Sequence, residues 1–377
     1  MALISVVQKQ LVEKDKKIDS ETLLEGISLA SVLPGPTAFN VVTFVGFKLK
    51  GLRGALVSMV GIVLPSFLLM LLLSYLYIKF GDIPSFNHFF DGILPAVAAI
   101  ILSVSFGMAK KNISDVQQIL IAVAAAIIII LLKSYRATLI VMIFSGIAGY
   151  VFYFKKSGVA SKATKIKEDK IERNKFGFVI PILLLMGFVL VFTLPYTLPP
   201  EYKTTGFLHQ KIMLAFSGMS LSLFGGGYVV IPAMQQVVVT SMNWLSSQEF
   251  TDAIAMGQIT PGPIFISATF IGYKVAGFWG ALNATVSIFL PPGLVMIACA
   301  GFYNQIRNSS VVTAVFKGLR PAIIGMIAAA AYTIMMSHEL SLKTGLLLGV
   351  FLILAIRYKA DPVFLIPGAG IIGLLIF

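Results

Sequence analysis

Two short stretches carry residue types from which a site can be built without any covalent chemistry. They are Leu33-Pro34-Gly35-Pro36 and Thr260-Pro261-Gly262-Pro263, each set in an apolar run. Proline removes a backbone donor and drives the preceding residue out of the helical region, while glycine accepts either hand. Each stretch is therefore a strong helix break that frees backbone polar groups where lipid cannot satisfy them. Such breaks are tolerated only against protein or a water-filled cavity, which points to a solute site. The helix resuming after each break offers its positive dipole end and free N–H groups in its first turn, a setting that suits an anion. Hydroxyl and amide side chains stand close by: Ser31, Thr37 and Asn40 at the first break, Gln258, Thr260 and Ser267 at the second. The competing reading makes each break a packing kink whose polar neighbours satisfy loose backbone. Two breaks at corresponding places weigh against it.

Other residues invite the same two-sided reading. Gly225-Gly226-Gly227 could form an anion-binding nest of N–H groups, or could let helices pack closely. Lys48 and Lys274 follow the breaks at corresponding positions and are candidate cations that draw an anion to each gate, or else interfacial lysines that snorkel. Glu25 and Asp252 each precede the first proline of their break by nine residues, roughly 13 Å along a helix. Acids at the edge of membrane segments are candidate proton-coupling groups, with a solvated acid on an amphipathic turn as the alternative. Arg53, opposite Trp279 in the repeat, serves topology. Arg320 could hold an oxyanion bidentately or sit at the interface. Glu249 reads as exposed, Glu339 and Asp361 as loop residues and Asp91 as a helix cap.

The elements that must position these residues are apolar helices. Of 377 residues, 58% are hydrophobic and 12% charged, against roughly a quarter charged in soluble domains. The expected fold class is an all-α polytopic membrane protein. The single cysteine, Cys299, excludes a disulfide framework or a cysteine metal site. His88, His209 and His338 form no metal motif, so neither metal nor cofactor is expected. No cleavable signal peptide is visible. The net charge of +13 does not indicate nucleic acid, because eight of the basic residues lie in one linker, where a topology signal explains them better.

After a charged arm over residues 1–21, about twelve spanning candidates follow. They are 23–47 (broken at Pro34), 52–78, 89–109, 116–132, 136–154, 176–195, 211–231, 250–273 (broken at Pro261), 277–303, 314–336, 342–356 and 361–377, each near the ~20 residues a bilayer core needs. A lysine-rich linker occupies 155–175.

The chain is also internally repeated. Pro34-Gly35-Pro36 recurs 227 residues later. After a one-residue slip Gly46-Phe47-Lys48 meets Gly272-Tyr273-Lys274, and Gly51 to Leu56 meets Gly277 to Leu282. Leu64-Pro65 then meets Leu290-Pro291, Gly92 to Ala96 meets Gly318 to Ala322, and Gly146 and Gly149 meet Gly370 and Gly373. The expected domains are a first repeat over 1–154, the basic linker 155–175, a connecting helix and external loop over 176–210, and a second repeat over 211–377. The helix ending in Phe224-Gly225-Gly226-Gly227 has no first-half copy, since Met1 falls opposite Tyr228. A chain start placed too late accounts for that more simply than a lost helix.

Basic residues accumulate on the cytoplasmic side, which places the 155–175 linker inside, with Lys110, Lys111, Lys48, Lys50 and Arg53. Counting each broken segment as one crossing then gives the halves opposite orientations, an inverted repeat. Re-entrant hairpins in their place would make the repeats parallel.

The run from Phe224-Gly225-Gly226-Gly227 through Gln248-Glu249-Phe250-Thr251-Asp252-Ala253 to Gln258-Ile259-Thr260-Pro261-Gly262-Pro263 resembles the chromate ion transporter family. The glycine-aromatic-lysine turn and Leu290-Pro291 continue the likeness, and the run from Leu33 to Pro65 repeats it. The resemblance covers essentially the whole chain, and the missing first glycine triplet departs from it. It implies a fused two-domain member with inverted halves in the cell membrane. It also implies export of chromate from the cytoplasm, driven by the proton gradient or membrane potential. The partners implied are chromate or a related oxyanion such as sulfate, protons and lipid. A passive channel and a membrane-embedded enzyme are the other classes considered. No GxxxxGK[ST] motif serves an ATP-driven pump, and no paired catalytic carboxylates, His cluster or activated serine serve an enzyme.

Overall fold

The computed structural model describes residues 7–15, 17–80, 84–132, 135–157, 200–222, 228, 230–300, 310–336 and 341–376. The 155–175 linker, the expected helix 176–195 and Gly225-Gly226-Gly227 lie wholly or mostly outside these residues. The described chain is helical and contains no strand element. A π-helical turn, Gln8–Lys14, leads to α1 (Ser20–Ala30), α2 (Thr37–Phe80), α3 (Pro84–Asn112), α4 (Val116–Leu132) and α5 (Tyr135–Ser157). Then come α6 (Pro200–Ser222), α7 (Val230–Gln235) with its π-helical continuation Gln236–Ser241, α8 (Ser247–Ile259) and a 3₁₀ turn, Ile264–Ile266. The set closes with α9 (Ser267–Cys299), α10 (Ser310–Met336), α11 (Leu342–Arg357) and α12 (Pro362–Ile376). The expected helix 211–231 is displaced. Its residues belong to α6, which starts earlier and stops before the glycine triplet, and to α7, which starts after it.

Burial is arranged for lipid. Large apolar side chains face outward, among them Val57 and Leu131, each 73% exposed. The interior is filled by small residues such as Ala96, Ala98, Ala99 and Ala329 to Ala331. Small residues at contacts let helices approach closely, and dispersion then supplies the attraction that a hydrophobic effect cannot supply in lipid. Among the described residues, four helices are long and apolar enough to cross a membrane: Thr37–Phe80, His88–Asn112, Ile264–Cys299 and Ser310–Met336. This is a multi-pass membrane protein.

Both broken segments fold back on themselves. Lys48 Nζ lies 3.4 Å from Glu25 Oε2, and Lys274 Nζ lies 2.8 Å from Glu249 Oε1. A straight helix would separate partners 23 residues apart by roughly 35 Å. Gly26 also faces the Phe44 ring with no room for a side chain between them. Each Pro-Gly-Pro is thus the tip of a helical hairpin, with its lysine at the mouth. The single-crossing reading does not hold.

The next turn is equally sharp. Lys50 (φ −141°, ψ 29°) and Gly51 (φ 57°, ψ −146°) interrupt α2, and Ala276 (φ −147°, ψ 30°) and Gly277 (φ 61°, ψ −153°) interrupt α9. Only glycine adopts the second conformation of each pair without strain. The chain reverses there, packing Gly46 on Gly54 and Gly272 on Gly280. Each hairpin therefore passes into a long arm, 52–80 or 277–299.

Helix directions follow from the glycine seams. Gly149 meets Gly318 where α5 runs antiparallel to α10, and Gly92 meets Gly373 where α3 runs antiparallel to α12. Tyr153, near the end of α5, bonds Asp115 at the start of α4, so these two helices are antiparallel as well. Since α3, α4 and α5 alternate, α3 and α10 point in opposite directions. The first hairpin opens on the face where α3 ends, and the second opens on the other face.

Candidate anion site at the hairpin tips

At the first tip, Pro34, Gly35 and Pro36 are buried and Gly35 has φ 98°, a left-handed conformation. Asn40, on the first turn of α2, donates from Nδ2 to the Pro34 carbonyl at 2.8 Å and so satisfies one group that the break freed. Its Oδ1 is buried without a hydrogen-bond partner. Thr37 is half-buried, and Ser31 Oγ turns back to the Ser28 carbonyl at 2.7 Å. A β-carbon on Gly35 would run into Pro292 of the 277–299 arm.

At the second tip, Thr260 Oγ1 donates to the Gly257 carbonyl at 2.8 Å, and Ser267 Oγ to that of Ile264 at 3.0 Å. Ser66 Oγ, on the 52–80 arm, donates to the Pro261 carbonyl at 3.0 Å and lies against Gly262. Pro261 is exposed, and Gly262 and Pro263 are half-buried. Gln258 Oε1 accepts from the Tyr228 hydroxyl at 3.3 Å, while Gln258 Nε2 is buried and unpartnered. Buried polar groups are overwhelmingly paired, so two orphans beside the two breaks mark polar demand at this depth. Each tip leans on the other half's long arm, Gly35 on Pro292 and Gly262 on Ser66. Phe289 stands between the tips, 5.2 Å from Phe39 and 6.3 Å from Phe265 between ring centroids.

The structure thus brings Pro34, Gly35, Pro36, Thr37 and Asn40 together at one tip, and Gln258, Thr260, Pro261, Gly262, Pro263 and Ser267 at the other. It leaves Lys48, Lys274 and Glu25 at the mouths. Lys48 also lies over the Phe44 ring, 5.3 Å from its centroid, and lines an open cleft of about 700 Å³ with Lys17, Asp19 and Ser20. Asp19 caps α1, and the hydrogen bonds from Thr22 hold its carboxyl below the usual range. Asp252 departs from Glu25. It is 2% exposed and accepts from Tyr77 Oη at 2.7 Å and from Gln248 Nε2 at 3.1 Å. Sequence reasoning passed over Ser66, Tyr77, Tyr228 and Pro292. Ser66 and Pro292 could have been found, since they follow the paired Leu64-Pro65 and Leu290-Pro291 by one residue. Tyr77 and Tyr228 carry no pattern. Among the described residues no cluster of histidine, cysteine or carboxylate side chains could hold a metal ion.

Comparison with known proteins decides the family. Residues 1–150 and 210–374 match the chromate transporter family. The chain belongs to that family. It is 28% identical to a chromate transport protein of Cupriavidus metallidurans over all of this chain and 88% of the relative. It is also 28% identical to an uncharacterized transporter of Methanocaldococcus jannaschii, over 94% of this chain and 85% of the relative. The uncharacterized transporter YwrA of Bacillus subtilis is 28% identical, and there 44% of this chain covers 95% of the relative. No solved structure matches. The family's members are transporters and not enzymes.

Proposed function

We propose that this chain is a secondary transporter that carries chromate out of the cytoplasm across the cell membrane, coupled to the proton gradient or the membrane potential. The observation that carries the proposal is that two Pro-Gly-Pro tips, from hairpins that open on opposite faces, each lean on the other half's long arm, Gly35 on Pro292 and Gly262 on Ser66, with Asn40 Oδ1 and Gln258 Nε2 unpartnered beside them. Chromate is a tetrahedral oxyanion. N–H groups of the resuming helices, the Gln258 amide, the Thr37 hydroxyl and the Gly225-Gly226-Gly227 backbone are the donors we assign to it. Lys48 and Lys274 are the cations that draw it to either mouth. The names of relatives favour chromate over sulfate.

The architecture we infer is an inverted repeat of two homologous halves, 1–154 and 211–377, joined by a cytoplasmic linker 155–175 and a connecting segment 176–210. Its twelve or so apolar segments include two that dip in and return. Recurrent hydrogen bonds support it: Asp15 N to Gln10 O, Lys17 N to Leu11 O and Ile18 N to Leu11 O return as Met242 N to Val237 O, Trp244 N to Val238 O and Leu245 N to Val238 O. So does YwrA, whose length one half nearly fills. Repeats of this kind place substrate at their interface near the midplane, with helix N-termini aimed at anionic groups.

The test is uptake into inside-out vesicles from cells expressing the chain, with chromate and sulfate in competition, with and without a pH gradient. Chromate uptake that rises with the gradient and resists excess sulfate is the expected result. Uptake of sulfate in preference would replace the substrate, and uptake indifferent to both gradient and potential would make the protein a passive path.

A further inference from the structure

We propose that Asp252, held by Tyr77, is the proton-binding group of the transport cycle, loaded from the face on which the second hairpin opens. The proposal rests on the coupled-transport reading above and assigns its proton site. The two halves spend their acids differently. In the first, Lys48 takes Glu25 as its partner. In the second, the equivalent Lys274 takes Glu249, which stands where the first half has Thr22. Asp252, the counterpart of Glu25, is left over. Among the described residues no cation pairs with it, and its partners are a phenol and an amide. A buried carboxylate served only by neutral donors is the kind of group that binds and releases a proton rather than anchoring a fold.

Its place suits that task. Asp252 lies one turn inward from Glu249 at the mouth, and six residues, roughly 9 Å, above Gln258 on the same short helix. The Tyr77 ring is fixed edge-on against Phe90, at 5.3 Å, and Phe270, at 5.1 Å. Tyr77 and Ser66 sit on one arm, roughly 16 Å apart. Through them that arm holds the second hairpin at two points, Asp252 near the mouth and Pro261 at the tip. The titratable groups around Asp252 are Tyr77 on α2, Asp91 on α3 and Glu249 on its own helix, with Lys274 of α9 paired to Glu249. Neither α12 nor the stretch from Val230 to Ser241 contains a titratable residue. When a proton reaches Asp252, an O–H bond forms at a carboxylate oxygen, and Tyr77 loses its anionic acceptor. The grip on the hairpin near its mouth weakens, the tip is released from the anion, and the same O–H bond breaks when the proton leaves.

The experiment uses the purified full chain in liposomes. It follows radiolabelled chromate exchange without a gradient, and chromate-dependent proton movement with an internal pH dye. D252N should lower proton movement about tenfold or more while exchange stays measurable, because the side chain lies outside the anion-binding groups. Y77F, which removes a donor from the carboxylate, should move the pH midpoint of exchange about one unit to the alkaline side. Proton movement that survives in D252N overturns the proposal, as does a wild-type chain that moves no protons with its anion. If D252N loses exchange as well, the pH profile of Y77F decides: a displaced midpoint supports the proposal and an unchanged one overturns it. Failure to exchange chromate would instead overturn the substrate reading. The same proton measurements would then be made with sulfate.

Discussion

The two hairpins agree at their mouths and differ at their tips. At the mouths Asp19 and Ser246 cap their helices by accepting from the N–H three residues on, and Gly51 and Gly277 turn the chain with nearly the same angles. At the tips the first break is buried, with glycine in a left-handed conformation, and packs on a proline. The second is partly exposed, has no left-handed glycine, and receives a hydrogen bond from Ser66. The mouths are set by turn chemistry that leaves little choice. The tips are where a transporter with one substrate and two faces has reason to be unequal: one is built as a fixed wall, the other is held by bonds that can be exchanged.

The largest effect that would break this contrast is at Gly35. An L-residue there is strained by about 1–2 kcal/mol, and a methyl group driven against Pro292 adds roughly 1–3 kcal/mol of overpacking. Gly35→Ala should therefore cost at least about tenfold in chromate exchange at equal protein level in the membrane. Gly262→Ala meets the Ser66 side chain and needs no left-handed backbone, so it should cost far less and recover when combined with Ser66→Ala. Equal losses in the two glycine variants would erase the distinction between wall and movable tip.

A smaller effect separates the repeat-related Asn40 and Ser267. Asn40 spans its break, bonding a carbonyl six residues back, whereas Ser267 serves a carbonyl within its own turn. Asn40→Ala leaves the Pro34 carbonyl buried and unpaired, at about 1–3 kcal/mol. Thermal unfolding in detergent should show that loss, and transport should fall with it. Ser267→Ala should cost less than about 1 kcal/mol, since only a local back-bond is lost.

These contrasts also show what could be read in advance. The helical membrane class was legible because apolar runs act locally. Hairpin against crossing was not, because a break has the same sequence whether the chain continues or turns back. The pairing of Lys48 with Glu25 and of Lys274 with Glu249, with Gly26 against the Phe44 ring, decides it. Glu25 and Asp252 stand at the same distance from their breaks in sequence and in different surroundings in the structure, the one paired with Lys48, the other with Tyr77 and Gln248. What separates them is Glu249, an acid that read as merely exposed and in fact takes up the lysine. Tyr77 lies 175 residues from Asp252, and no local pattern announces a partner at that distance.

The smallest expected effects are at the mouths, and they decide what the lysines do. Both ion pairs are partly exposed, and such pairs contribute about 0–1 kcal/mol, so Lys48→Gln and Lys274→Gln should barely change the unfolding temperature. If the lysines draw the anion in, their work lies in long-range attraction, which salt screens over about 10 Å at 0.1 M. Lys274→Gln should then raise the apparent KM for chromate about threefold at low ionic strength, with less effect at high salt and little change in maximal rate. Glu249→Gln, which frees the same lysine, should lower KM under the same conditions. The matching pair at the other mouth, Lys48→Gln and Glu25→Gln, should act on chromate presented from the opposite face. With the mouths on opposite sides of the membrane, as the proposed inverted repeat requires, right-side-out and inside-out vesicles should exchange which pair matters. A KM that ignores all four changes in both orientations would reduce the lysines to anchors of the hairpin ends.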